Sequence, residues 1–254
     1  MNIAFLAWMN FITYEMGDNP NYSPDLKNGW SILHKSGELG FNTSGFNGVS
    51  YVNYKEMKLV ISYSGTTCFN MGWDIQKWYN CAQDMYANIQ MYMGFIPSHQ
   101  EDAKMLTDYS MESIDQIKNY NIILTGHSLG AVIASLVAVY LYDKCDKYKV
   151  VLFDSPGSVP AVSNYVSDKN LDLDDIKINV MTYNAPANLI NTLNPHIGEI
   201  QMIDKMPYNS GNYIDFVMST LFCHSIEKIY NTLDEMSQKD ILDSLAQSQI
   251  LEMY

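Results

Sequence analysis

One pentapeptide in this 254-residue chain is spaced for nucleophilic chemistry: Gly126-His127-Ser128-Leu129-Gly130. A serine hydroxyl attacks poorly until a neighbouring base takes its proton and fixed donors receive the charge developing on the attacked oxygen. A G-x-S-x-G spacing meets the geometric half of that need. The serine projects from a strained turn between strand and helix, and glycines two residues to either side leave room for the turn and for the helix to pack on the sheet. The helix N-terminus then aims N–H groups at the oxyanion. The plain alternative is a strand–turn–helix junction with a capping serine. Context favours the chemical reading: Asn121–Thr125 is a short apolar β-type run, and Ala131–Tyr142 reads as an apolar helix with small residues facing its neighbour. Ser128 is the candidate nucleophile, and the N–H of Leu129 is one candidate oxyanion donor.

A second donor is expected from the loop after an earlier strand. The run Leu59-Val60-Ile61-Ser62-Tyr63 leads into Ser64-Gly65-Thr66, so Thr66 offers its N–H and its hydroxyl there. In α/β-hydrolases the remaining partners follow in the order acid, then histidine. Asp154, in Leu152-Phe153-Asp154-Ser155-Pro156-Gly157, ends the strand after the elbow and is the candidate acid. A turn-forming Asp is its plain reading, and Asn184, Asn188 and Asp204 stay open as alternatives. Of the histidines, His34 precedes the motifs, His99 starts a polar helix, and His127 is expected to point away from the site. His196 and His224 both fit the order. His224 fits better because it follows the last expected strand and opens a helical pattern.

Ser64-Gly65-Thr66 after a β-run, followed by Thr125-Gly126-His127-Ser128-Leu129-Gly130, resembles the class 3 (fungal-type) lipase family over roughly residues 45–230. The resemblance implies an α/β-hydrolase fold, lipid-ester hydrolysis, and Thr66 and Leu129 as the oxyanion pair. Two departures stand out. Ser64 occupies a position where the family usually has arginine. The candidate acid, Asp154, lies one strand earlier than the family's usual aspartate, whose counterpart stretch here is Tyr183-Asn184-Ala185-Pro186-Ala187-Asn188. By the same resemblance residues 68–97, rich in Met, Tyr and Trp, form a mobile lid and acyl-binding wall; a core helix that stays put is the plain alternative.

The elements that must position these groups can be read around them. Residues 3–15 pattern as a helix packed on the domain, and 22–47 as loop with short extended pieces. Val49–Tyr54 and Lys58–Tyr63 form an expected hairpin. Residues 99–118 are a polar helix, Lys149–Phe153 and Ile176–Tyr183 are buried strands, residues 197–203 are a further strand, and the tail from Asp234 is a surface helix. Buried strands alternating with helices predict a mainly parallel sheet covered on both faces, with ligands collecting at the strands' carboxyl ends. The expected organisation is one domain, residues 1–254.

Composition narrows the partners. A net charge of −13 excludes nucleic acid as a natural ligand. Every basic residue is lysine, so no arginine fork is available for anionic head groups. The acid balance also opposes anionic membranes, leaving neutral lipid, met at a transient interface, as the expected partner. No window is apolar enough to span a bilayer. The apolar start lacks a basic region and a cleavage site, so a cytoplasmic protein without a signal peptide is expected. Cys68, Cys81, Cys145 and Cys223 have no metal spacing and read as mostly free thiols; the chemistry calls for no metal or organic cofactor. Three functions follow: an ester hydrolase of lipid type, a phospholipase A1 or acyltransferase with the same residues, or an inactive hydrolase fold used as a binding module.

Overall fold

The computed structural model describes residues 2–19, 21–42, 45–65, 99–167, 173, 180–206, 220 and 223–251, with helix side chains described as far as 239. Within them a seven-stranded sheet runs β1 to β7 in chain order. Its strands are β1 (Ser31–Lys35), β2 (Gly48–Asn53), β3 (Lys58–Tyr63), β4 (Asn121–His127), β5 (Tyr148–Phe153), β6 (Val180–Asn184) and β7 (Glu199–Met202). The first two pairings are antiparallel, and β3 through β7 are all parallel. The hairpin between β2 and β3 forms because Asn53 Oδ1 accepts Glu56 N–H at 3.0 Å, closing the turn that the side chain itself supplies.

Successive strand residues face opposite sides, and two cores result. On one face Leu59, Ile61, Ile122, Leu124, Val150 and Leu152 pack beneath helices α2 (99–112), α3 (Leu129–Leu141) and α4 (Val159–Ser167). Every α3 residue except Tyr140 is buried, as expected of a helix apolar all round. On the other face Val60, Ile123, Val151 and Phe153 lie under α1 (Ile3–Asp18) and α5 (Ile226–Leu251). The helical pattern that His224 opens and the tail helix from Asp234 are one continuous helix beginning at Ile226. Among the described residues no helix is long and apolar enough to cross a membrane.

Helix α1 starts where Asn2 Oδ1 caps Ala4 N–H at 2.9 Å. Its buried face is not purely apolar. Asn10 donates to Thr125 Oγ1 at 2.8 Å and accepts from Ser62 Oγ at 3.3 Å, and Thr13 Oγ1 lies 2.9 Å from Tyr51 Oη. A buried polar group costs free energy unless it is paired. These pairs therefore fix the rotation of α1 on the sheet more tightly than greasy contact does. That rotation places Tyr14 beside the carboxyl end of β4.

Candidate active site

The turn after β4 has the geometry expected of a nucleophile elbow. Ser128 adopts φ 57° and ψ −128°, a conformation that costs a non-glycine residue about 1–3 kcal/mol. It is held there from both sides: Ser128 N–H donates to Phe153 O at 3.2 Å, and Ser128 O accepts from Ala131 N–H at 3.0 Å. The flanking glycines are needed for close approach. A methyl group on Gly126 would lie 2.2 Å from Gly130 O, and one on Gly130 would lie 2.0 Å from Tyr63 O. Leu129 is the first residue of α3, so its N–H has no acceptor within the helix and points out from its positive end.

His224 meets Ser128 from a turn just before α5. Its Nε2 lies 2.9 Å from Ser128 Oγ, and its Nδ1 lies 2.6 Å from Asp154 Oδ2. An ionised carboxylate only accepts, so Nδ1 carries the proton and Nε2 is left free to take one from the serine. All three groups are buried: Ser128 is 2% exposed, His224 5% and Asp154 0%. Water screens their interactions little.

Asp154 is ringed by donors. Oδ1 accepts from Ala185 N–H at 3.0 Å and Asn191 Nδ2 at 2.7 Å; Asn188 Nδ2 reaches both oxygens, at 3.3 and 3.0 Å. Burial alone pushes this carboxyl upward, yet the hydrogen bond and charge of His224, with the hydrogen bond of Asn191, outweigh it and hold the group below its ordinary value. Asn188 and Asn191 are locked by one another, because Asn188 Oδ1 accepts Asn191 N–H and Asn191 Oδ1 accepts Asn188 N–H, both at 3.0 Å.

The placement of the remaining candidates is now plain. Asn188, an alternative acid, instead donates to Asp154, so the loop after β6 supplies amides to a carboxylate hosted after β5. Asn184 is buried at the end of β6 and its Nδ2 lies 3.4 Å from His196. Asp204 is exposed in the turn after β7. His196 Nε2 donates to Asn191 O at 2.8 Å and so braces the amide loop. His224 has both ring nitrogens engaged, by Asp154 and Ser128, and Asn184, Asp204 and His196 lie outside that chain of bonds. Ser64 bonds Asn47 O through both N–H and Oγ, each at 3.0 Å. Thr66, and the lid expectation at 68–97, lie outside the described residues, as do Cys68 and Cys81. Neither Cys145 nor Cys223 forms a disulfide among the described residues, and burial pushes the Cys223 thiol up to about 11. Among the described residues no cluster of His, Cys, Asp and Glu is arranged to hold a metal.

One expectation is corrected. His127 does not leave the site: its ring centroid lies 4.6 Å from that of His224, and its Nε2 lies 2.7 Å from His224 O. Position 127 is the last of β4, and alternation turns its side chain to the α1 side of the sheet, where His224 also arrives. Tyr14 and Asn191 also escape a sequence reading, and nothing local marks Tyr14. The run of asparagines after β6 was the one visible signal for the latter.

The chain matches the family described as Lipase (class 3) over residues 60–187. It is similar to the uncharacterized protein RP165 of Rickettsia prowazekii (strain Madrid E), with 28% identity over 188 residues, or 69% of this chain and 47% of that protein. It thus spans about half the length of the curated relative it matches. Among solved structures it resembles the Rhizomucor miehei lipase propeptide complex, at a TM-score of 0.51 and 14% identity, covering 87% of this chain and 77% of that one. It also resembles Rhizomucor miehei triacylglyceride lipase, at a TM-score of 0.50 and 16% identity, covering 78% of each. At such identities the likeness concerns the fold, which is the α/β-hydrolase fold.

Proposed function

Because this chain belongs to the class 3 lipase family, we propose that it is a serine ester hydrolase acting on a neutral acylglycerol or related lipid ester through an acyl-enzyme. One observation carries the reading: the continuous hydrogen-bond chain from Asp154 Oδ2 through His224 to Ser128 Oγ, at 2.6 and 2.9 Å. Ser128 Oγ bonds to the acyl carbon while His224 Nε2 takes its proton. The tetrahedral intermediate expels the alcohol, which leaves with that proton. Water then repeats the sequence and frees the acid. Asp154 holds the imidazole in the productive tautomer and stabilises its charged form. Leu129 N–H is one oxyanion donor, and by family resemblance Thr66 supplies the other; each such donor contributes about 3–4 kcal/mol to the transition state. The absence of arginine and the net charge of −13 favour a neutral head group.

The test is hydrolysis of p-nitrophenyl esters of graded chain length, then of neutral glyceride and phospholipid emulsions, beside Ser128→Ala, His224→Ala and His196→Ala. Activity rising with chain length, greatest on glyceride, and lost in the first two variants but kept in the third is the expected result. Preference for phospholipid moves the assignment to a phospholipase A1. Inertness toward every ester moves it to a binding module.

A further inference from the structure

Tyr14, on the first helix, and His127, inside the elbow, touch one another and reach both sides of the reaction centre. Gly65 N–H donates to Tyr14 Oη at 2.7 Å, Tyr14 Oη lies 3.1 Å from His127 Nδ1, and His127 Nε2 lies 2.7 Å from the backbone oxygen of His224. Both ends of this path are backbone groups with one possible role each: an amide N–H only donates and a carbonyl only accepts. The direction of every bond between them follows. His127 must carry its proton on Nε2 to donate to His224 O, so its Nδ1 is an acceptor. Tyr14 must then point its hydroxyl proton at Nδ1 while its lone pair receives Gly65 N–H. The contact of Tyr14 Oη with His127 O, at 3.3 Å, competes for the same proton and is the longer of the two.

The two ends of the path are the parts that have to stay in register during acyl transfer. Gly65 closes on the elbow: a methyl group there would lie 2.9 Å from His127 O and 3.0 Å from Leu129 N. The residue that follows it is Thr66, the expected second oxyanion donor. At the other end, His224 O belongs to the residue whose ring must lie between Asp154 and Ser128. Both intermediate side chains are buried, Tyr14 at 3% and His127 at 5% exposure, so water does not compete for these bonds.

We propose that Tyr14 and His127 form a one-directional hydrogen-bond relay that positions the oxyanion strand end and the catalytic base together against Ser128. The proposal rests on the ester-hydrolase reading above. Both are positioning residues, since neither touches the serine hydroxyl or the acyl group. The relay also explains why a histidine rather than an apolar ring is used beside His224. A neutral imidazole donates on one edge and accepts on the other, and the hydroxyl of Tyr14 occupies the lone pair that a proton would otherwise take. Burial and the nearby His224 push His127 down to about 3, despite Asp154 pulling the other way, so the ring stays uncharged while His224 becomes imidazolium.

The experiment compares Tyr14→Phe, His127→Gln, His127→Leu and Tyr14→Phe/His127→Leu with the wild-type chain on p-nitrophenyl butyrate, with melting temperature measured for each. Misplacing reacting groups by about 1 Å costs on the order of 10²-fold in rate. Tyr14→Phe is expected to lower kcat about tenfold, with KM within about twofold, and His127→Leu to lower kcat on the order of 10²-fold. His127→Gln is expected to recover most of that loss, because a carboxamide donates and accepts as the neutral ring does. The double variant should be no slower than His127→Leu alone, since one break already opens the relay. Wild-type kcat in Tyr14→Phe, a Gln variant no better than Leu, or additive losses would overturn the proposal. A readout independent of turnover separates it from the parent reading. Imidazole ¹⁵N shifts should give the Nε2–H tautomer for His127, and Gly65 amide exchange should quicken in Tyr14→Phe. An inert wild type with those signatures overturns the ester-hydrolase reading and the positioning role with it, leaving only the bonding. An active wild type without them overturns the relay alone.

Discussion

Replacing Asp154 with asparagine should be far more damaging than the loss of one charge in solvent. The substitution keeps the shape, yet among the described residues every group bonded to the carboxylate is a donor: Ala185 N–H, Asn188 Nδ2, Asn191 Nδ2 and His224 Nδ1. An amide must aim its NH₂ at one pair of them. With Ala185 and Asn191 both held to Oδ1, the NH₂ takes the Oδ2 place and faces His224. The imidazole then turns its bare Nδ1 toward the amide and carries its proton on Nε2, the atom that should receive the serine's. A second estimate comes from electrostatics. Two unit charges about 4 Å apart at an effective dielectric near 20 attract by about 4 kcal/mol. Losing that attraction to the imidazolium costs about three decades in rate. Tautomer and charge thus converge on a fall in kcat of about 10³–10⁴-fold. The assay is kcat on p-nitrophenyl butyrate, normalised to the folded fraction by far-UV circular dichroism. An Asp154→Asn enzyme that keeps about a tenth or more of wild-type kcat would refute this reasoning.

Three further outcomes follow from the same geometry. Asn191→Ala removes a 2.7 Å charge-assisted bond to Asp154, and bonds of that kind contribute about 1.5–3 kcal/mol; kcat should fall by about tenfold, and an unchanged kcat would show that the amide loop does not support the acid. Gly130→Ala forces a methyl group to 2.0 Å from Tyr63 O and should lower stability by about 1–3 kcal/mol, read as a drop of several degrees in melting temperature. His127 gives stability a pH dependence of known sign. Its value drops from 6.5 to about 3 on folding, so between those limits the unfolded chain binds a proton that the folded one does not, and stability falls as pH falls. From pH 7 to pH 5 the loss from this residue is about 2 kcal/mol. Urea titrations should show His127→Gln losing less stability than the wild type over that interval by about this amount, and equal losses would contradict it.

The elbow was legible because its chemistry demands residues adjacent in sequence. Gly126 and Gly130 are fixed by contacts that any side chain would break, and Ser128 by the turn between them. His224 and Asp154 were legible as a choice among few candidates, since chain order restricts where each can lie. What surrounds them was not. The Tyr14 hydroxyl is 113 residues from His127, and Asn191 is 37 from Asp154. No local period signals that such partners meet. Helix α1 illustrates the reason: its apolar residues announce a packed helix, whereas Asn10, Thr13 and Tyr14 read as interruptions until their partners on β2, β3 and β4 are known. β1 was hidden for a related reason. As an edge strand with little buried surface it lacks the apolar run that marks β4 or β5, and its residues read as short extended pieces of a loop.

The most direct test of Ser128 as an activated nucleophile is covalent labelling. The protein would be treated with an alkyl fluorophosphonate, digested, and the adduct located by mass spectrometry. A single adduct on Ser128, absent from Ser128→Ala and formed far more slowly by His224→Ala, is the predicted result. A wild-type protein that takes up no label, or takes it up at another residue, would contradict the assignment of this site as a serine hydrolase.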